Sequence, residues 1–171
     1  MPSRLTVLLV SLLLVTPAVL FWLWLVILPV RVVVICPEEC SCEREGYIVD
    51  CSDSALNSIP SNLNRRAQTL VLDGNNISFF ENDSFISRGM GELLIINADF
   101  CKIRKIQLGA FNGLRKLTRL SIQGNEISEI IPGAFENSSH LEYLHLDYNK
   151  IEHLESDVFS GLVKIKYINL G

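Results

Sequence analysis

From about residue 67 onward the apolar positions recur in a fixed order. Leu70, Leu72, Ile77, Phe80 and Phe85 are followed by Leu93, Ile96, Ala98, Ile103, Ile106, Phe111 and Leu114. The third set is Leu117, Leu120, Ile122, Ile127, Ile130 and Phe135, and the fourth is Leu141, Leu144, Leu146, Ile151, Leu154, Phe159 and Leu162. A fifth begins with Ile165, Ile168 and Leu170. Between strand and return in each set stands one of Asn75, Cys101, Asn125 and Asn149, spaced by 26, 24 and 24 residues, and Phe85, Phe111, Phe135 and Phe159 follow the same steps. Self-similarity at such a period predicts a solenoid in which each coil buries its apolar face against its neighbours.

Each position has a mechanical reason. Apolar residues two apart in a short strand point the same way, into the coil, so the residues between them face outward on a sheet. An asparagine amide offers donors and an acceptor where the chain leaves the strand, and can satisfy backbone groups that the turn would bury unpaired. Asn75, Asn125 and Asn149 are therefore expected to form a structural ladder, with Cys101 as a weaker donor in the second coil and as a buried, inert thiol. The phenylalanine column is expected to fill the wider half of each coil.

The first thirty-five residues have another pattern. No charge interrupts the chain from Leu5 to Val30, and Arg4 precedes the run. This is the layout of a secretory signal or a signal-anchor helix. Thr16 and Ala18 form the one small-residue pair suited to cleavage, and a cut there leaves Phe21, Trp22, Leu23 and Trp24 in water, which favours an uncleaved anchor holding residues 5–30 in the membrane. Pro17 and Pro29 kink such a helix without forbidding it. Either outcome puts the remainder outside the cytosol.

Directly after this segment come Cys36, Cys40, Cys42 and Cys51. Four closely spaced cysteines can hold zinc or form disulfides, with three connectivities open. Delivery to an oxidising lumen favours disulfides. Gly46 and the following Tyr47–Cys51 read as a turn and a strand, with Leu56, Ile59 and Leu63 supplying core for the first coil.

Residues 36–170 resemble the extracellular leucine-rich-repeat superfamily of the typical 24-residue class, which includes Toll-like receptors, Slit, the Nogo receptor and small leucine-rich proteoglycans. The resemblance implies an α/β-type, mostly β solenoid: a right-handed coil with short parallel strands on its concave face, a cysteine-rich cap over 36–66 and repeats over 67–171, preceded by one hydrophobic helix within 1–35. It implies the pairs Cys36–Cys42 and Cys40–Cys51. It also implies a protein ligand or co-receptor as partner.

The outward strand positions fall into columns. Thr69, Ile95, Arg119, Tyr143 and Tyr167 form one, Val71, Asn97, Ser121, His145 and Asn169 the next, and Asp73, Asp99, Gln123 and Asp147 a third, with Phe100 and Tyr148 beside them. Strands about 4.8 Å apart bring Tyr143, His145 and Tyr167 into one cluster. Exposed aromatic and arginine side chains on a rigid sheet are candidate hot spots, so Arg119, Tyr143, His145, Asp147, Tyr148 and Tyr167 are the expected ligand-binding residues. Sequons at Asn76, Asn82 and Asn137 lie outside these columns, so glycans there leave the sheet free.

Charge and missing motifs narrow the function. Without the first thirty-five residues, which carry Arg4 and Arg31, the 15 basic residues fall to 13 against 19 acidic ones. Such an acidic surface argues against nucleic acid. The basic run Lys102, Arg104, Lys105, Arg115, Lys116 and Arg119 reads as a solvated face before it reads as a polyanion site. His140, His145 and His153 lack metal-ligand spacing and no catalytic motif occurs, so neither an enzyme, a metal nor a cofactor is expected. The expected role is a cell-surface recognition or adhesion module or receptor ectodomain fragment, with a secreted matrix or carrier subunit as the alternative. The fifth strand stops at Gly171 without a second cysteine cap, which reads as a truncated gene product or a fragment of a longer receptor before it reads as a natural short form capped by a partner, and leaves an edge available for self-association.

Overall fold

The computed structural model describes residues 36–171. The hydrophobic helix, signal or membrane anchor expected within 1–35 lies outside the described residues. Among those residues no helix is long and apolar enough to cross a membrane.

The chain winds as a solenoid. Its main sheet contains β1 (Ser41–Glu43), β2 (Ile48–Asp50), β3 (Thr69–Val71), β5 (Ile95–Asn97), β7 (Arg119–Ser121), β8 (Tyr143–His145) and β9 (Tyr167–Asn169), in that spatial order. β1 and β2 pair antiparallel, and every later pair is parallel. The register follows the repeat: Leu70 stands opposite Ile96, Ile96 opposite Leu120, and Leu120 opposite Leu144. On the return side a short parallel pair joins β4 (Phe79–Phe80) to β6 (Lys105–Ile106).

The core lies between the sheet and the return segments. Leu70, Leu72, Leu93, Ile96, Ala98, Leu120, Ile122, Leu144 and Leu146 are all fully buried. Behind them the phenylalanines stack from coil to coil, with ring centroids 5.9 Å apart for Phe85–Phe111, 5.7 Å for Phe111–Phe135 and 6.2 Å for Phe135–Phe159. Aromatic area makes this spine a large part of the burial that joins the coils.

The fold is mostly β, as the repeat pattern predicts. The helical share of the expected α/β coil is absent among the described residues, where the returns run as turns with one short 3-10 segment at Ile86–Arg88, a second such segment, Arg44–Gly46, joining β1 to β2 in the cap. Glycines in the left-handed region account for this, since Gly89 ends the return segment at φ 78° and Gly109, Gly113 and Gly133 punctuate the later returns.

The cap closes the first coil. Disulfides join Cys36 to Cys42 and Cys40 to Cys51, the pairing that the resemblance implies. Val49 and Cys51 are fully buried, and Ile59 and Leu63 nearly so, so β2 presents a finished apolar surface to the coil that follows.

Candidate ligand-binding face

The ladder residues tie each coil to its neighbour. Asn125 donates from Nδ2 to the carbonyls of Ala98 (2.9 Å) and Ile122 (2.9 Å), and its Oδ1 accepts from the backbone N–H groups of Cys101 and Ile103, both at 2.9 Å. Asn149 repeats the pattern one coil later, donating to Ile122 and Leu146 and accepting from Ile127. Asn75 donates to the Cys51 carbonyl at 2.8 Å, so the disulfide-bonded cap supplies the first rung. Cys101 keeps the inter-coil bond with one donor, its thiol reaching the Leu72 carbonyl at 3.0 Å. Burial pushes that thiol up to about 11, so it stays protonated and inert.

On this frame the outward residues separate into two groups. Arg119, Tyr143 and Tyr167 stand opposite one another in successive strands, as do Ser121, His145 and Asn169. The Arg119 guanidinium lies 5.2 Å from the Tyr143 ring centroid, a cation–π pair, and the His145 and Tyr167 rings are 5.4 Å apart. Arg119 and Tyr167 are exposed, while Tyr143 and His145 are half-buried. The structure thus brings together four of the six expected binding residues. Arg119, in a column that carries Thr69 and Ile95 in the preceding coils, joins the middle of the sheet to the aromatic end.

Asp147 departs from the expectation. It is only 5% exposed and so is not available as a surface group. Its column turns along the stack at the strand exit instead of facing outward: the Asp73 carboxylate accepts the Asp99 N–H at 2.8 Å, and Asp99 accepts the N–H of Gln123 at 2.9 Å and the Ser121 hydroxyl at 2.7 Å. One oxygen of Asp147 has no partner among the described residues. Asp73 is held above the ordinary carboxylate range, first by burial and then by the nearby carboxylates of Asp99, Asp50 and Asp53.

Tyr148 is 76% exposed at the same edge, apart from the four clustered residues, and Phe100 is 60% exposed. Both occupy the left-handed region, each at φ 55°, in a turn position that Gly74 and Gly124 fill in the neighbouring coils. Gly124 is required there, because a Cβ would strike the Phe100 ring. Sequence columns did not reveal this shared conformation, and the alternation of glycine with aromatic residues at one turn position was the available signal. All three sequon asparagines are exposed and away from the sheet face.

The comparisons agree with this architecture. The leucine rich repeat family model matches residues 91–149 and 115–171. Residues 91–171 are leucine-rich repeats. This leucine-rich-repeat chain is 40% identical over 93 residues to leucine-rich repeat-containing G-protein coupled receptor 5 of Xenopus tropicalis, covering 53% of the chain and 10% of the receptor. Its structure resembles that in the TLR13–ssRNA13 complex with a TM-score of 0.70 and 30% identity, over 77% of the chain and 19% of TLR13. It shares the fold of human 5T4, trophoblast glycoprotein, with a TM-score of 0.64 and 22% identity, over 80% of the chain and 62% of that protein. The chain spans well under half the length of the curated relatives it matches.

Proposed function

We propose that this chain is an extracellular protein-binding module, acting in cell-surface recognition or adhesion as part of a receptor-like ectodomain, and that it binds through the sheet face. The observation that carries this reading is the linked set Arg119–Tyr143 and His145–Tyr167, two contacting pairs in register on strands that the asparagine ladder holds fixed. Arginine and tyrosine on a preorganised surface bind at low cost in side-chain ordering. The two disulfides fit an oxidising compartment.

One structural relative is described in complex with single-stranded RNA. Here the strand-exit edge carries Asp50, Asp73, Asp99 and Asp147, and the 19 acidic residues of the chain outnumber its 15 basic ones. That balance supports a protein partner over a polyanion.

The test uses the full chain made in secretory cells and screened against an array of cell-surface and secreted ectodomains. Binding to at least one protein, weakened by more than about tenfold in a variant carrying Arg119→Ala, Tyr143→Ala and Tyr167→Ala together, is the expected result. Binding lost instead on Lys105→Ala and unaffected by the triple change would overturn the sheet face as the site.

A further inference from the structure

The strand-entry side of the coils gathers cations that lie far apart in the chain. Backbone bonds fix which positions are equivalent: the Leu94 N–H reaches the Gln68 carbonyl at 2.8 Å, and Thr118 to Leu94, Glu142 to Thr118 and Lys166 to Glu142 repeat the bond at 2.9 Å. Two residues upstream of each, Arg66, Glu92, Lys116, His140 and Lys164 therefore follow one another along the stack, with Arg65 and Arg115 beside them. All seven side chains are exposed. Strands about 4.8 Å apart make the row roughly 19 Å long from Arg66 to Lys164.

Two acidic groups stand among them, and both are taken. Lys116 Nζ pairs with Glu92 at 2.6 Å and Lys166 Nζ with Glu142 at 2.7 Å. Arg65, Arg66, Arg115 and Lys164 have no ion-pair partner among the described residues; Glu136 rims a hollow with Arg115 and His140 without pairing to either. The cations adjacent in sequence, Lys102, Arg104 and Lys105, run along the return side instead, where Arg104 pairs with Glu126 at 3.1 Å. The aspartate column occupies the opposite, strand-exit edge. Three strand residues alone span about 10 Å and the Debye length is about 8 Å at physiological ionic strength, so Asp73 and Asp99 scarcely offset the cations across the sheet. The acidic balance of the whole chain does not describe this edge.

We propose that the strand-entry edge binds a sulfated glycosaminoglycan chain, as a second ligand independent of the one assigned to the sheet face. A straight row of exposed, flexible cations with no enclosing pocket fits a linear polymer that repeats its charge, not a single small anion. Sulfate groups stay ionised at physiological pH, and a guanidinium offers them several N–H donors at once. Such attraction draws on the release of ions condensed along the polymer, so it grows with the number of contacts and needs no fitted cavity. The two disulfides fit an oxidising compartment, which is not the one faced by the anionic lipids of the cytoplasmic leaflet. A polymer lying along this edge leaves Tyr143 and Tyr167 on the sheet open to a protein.

The experiment titrates the full chain, made in secretory cells, with a heparin dodecasaccharide at about 0.15 M salt. Micromolar binding that weakens steeply as salt rises is expected. Arg65→Ala, Arg66→Ala, Arg115→Ala and Lys164→Ala together leave both ion pairs intact, and are expected to weaken binding by more than about tenfold and to flatten its salt dependence. Lys102→Ala with Lys105→Ala is expected to change it by less than about twofold. No binding to heparin, or an equal loss from the two sets, overturns the assignment. Polyglutamate of matched charge binding as tightly overturns the sugar in favour of an acidic protein segment, and capture by phosphatidylserine vesicles but not by heparin overturns it in favour of lipid. A readout on the unmutated chain stands whether or not the variants fold: acetylation of the heparin-bound protein is expected to spare Lys164 and modify Lys105, and the reverse pattern overturns the site.

Discussion

The second and third coils solve one problem with different chemistry. Asn125 has two amide hydrogens and an acceptor oxygen, and uses them to tie its own strand exit to the coil before it. Cys101 stands at the equivalent place with one hydrogen, which it gives to the neighbouring coil through the Leu72 carbonyl; its distance to Asp99 in its own coil is 3.5 Å. Where only one bond can be kept, the inter-coil bond is kept. The contrast shows that the ladder joins coils first and shapes the turn second.

The sharpest way to break the comparison is Asn125→Ala, which strips partners from buried carbonyl and N–H groups in two coils at once. A loss of about 3–5 kcal/mol is expected in denaturant unfolding of the secreted protein. Asn125→Cys is expected to recover part of it, because the thiol restores one inter-coil donor. Next in size is Cys101→Ala, expected to cost about 1–2 kcal/mol through one buried bond and a small void. Cys101→Asn is expected to lie within about 1 kcal/mol of the parent, and a larger loss would show that the 26-residue coil is shaped around sulfur. Iodoacetamide at pH 8 is expected to leave Cys101 unlabelled in the folded chain and to label it on unfolding, since the thiol is buried and titrates only near 11.

The smallest expected effect concerns Asp73. Its folded value is raised above 3.8, so the native state holds its proton more tightly than the unfolded chain. Stability from this group therefore falls as pH rises from 3.8 through the raised value. Asp73→Asn keeps an oxygen for the Asp99 N–H and removes the charge. A slightly higher melting temperature at pH 7 is expected, with the difference vanishing as the pH drops below 3.8.

Much of this was legible in the sequence because a repeat writes the same physics several times. The spacing of Asn75, Cys101, Asn125 and Asn149 locates the ladder, and the columns place Arg119, Tyr143 and Tyr167 in the register that the strands adopt. Asp147 was misread because alternation along a strand says only which side a residue leaves from. At the strand exit its column bends along the stack to meet N–H groups, and that depends on the turn. The cationic row was missed for a related reason: Arg66, Lys116 and Lys164 are 50 and 48 residues apart, whereas the run from Lys102 to Arg119 joins residues that the coil sends to three different surfaces. The pairing of the cap cysteines came from likeness to a family, since spacing alone left three possibilities open.

Cys51 combines two duties, a covalent bond to Cys40 and the carbonyl that receives Asn75. A coil that cannot bury its own interior needs a finished neighbour to grow upon, and here the earliest such template is locked by oxidation. Each later coil likewise rests on the one before it, so the cap is the surface against which the first coil is buried. Chemical reduction would act at this end of the stack, loosening the support of the Asn75 rung, while the strands that display Tyr143 and Tyr167 rest on coils of their own.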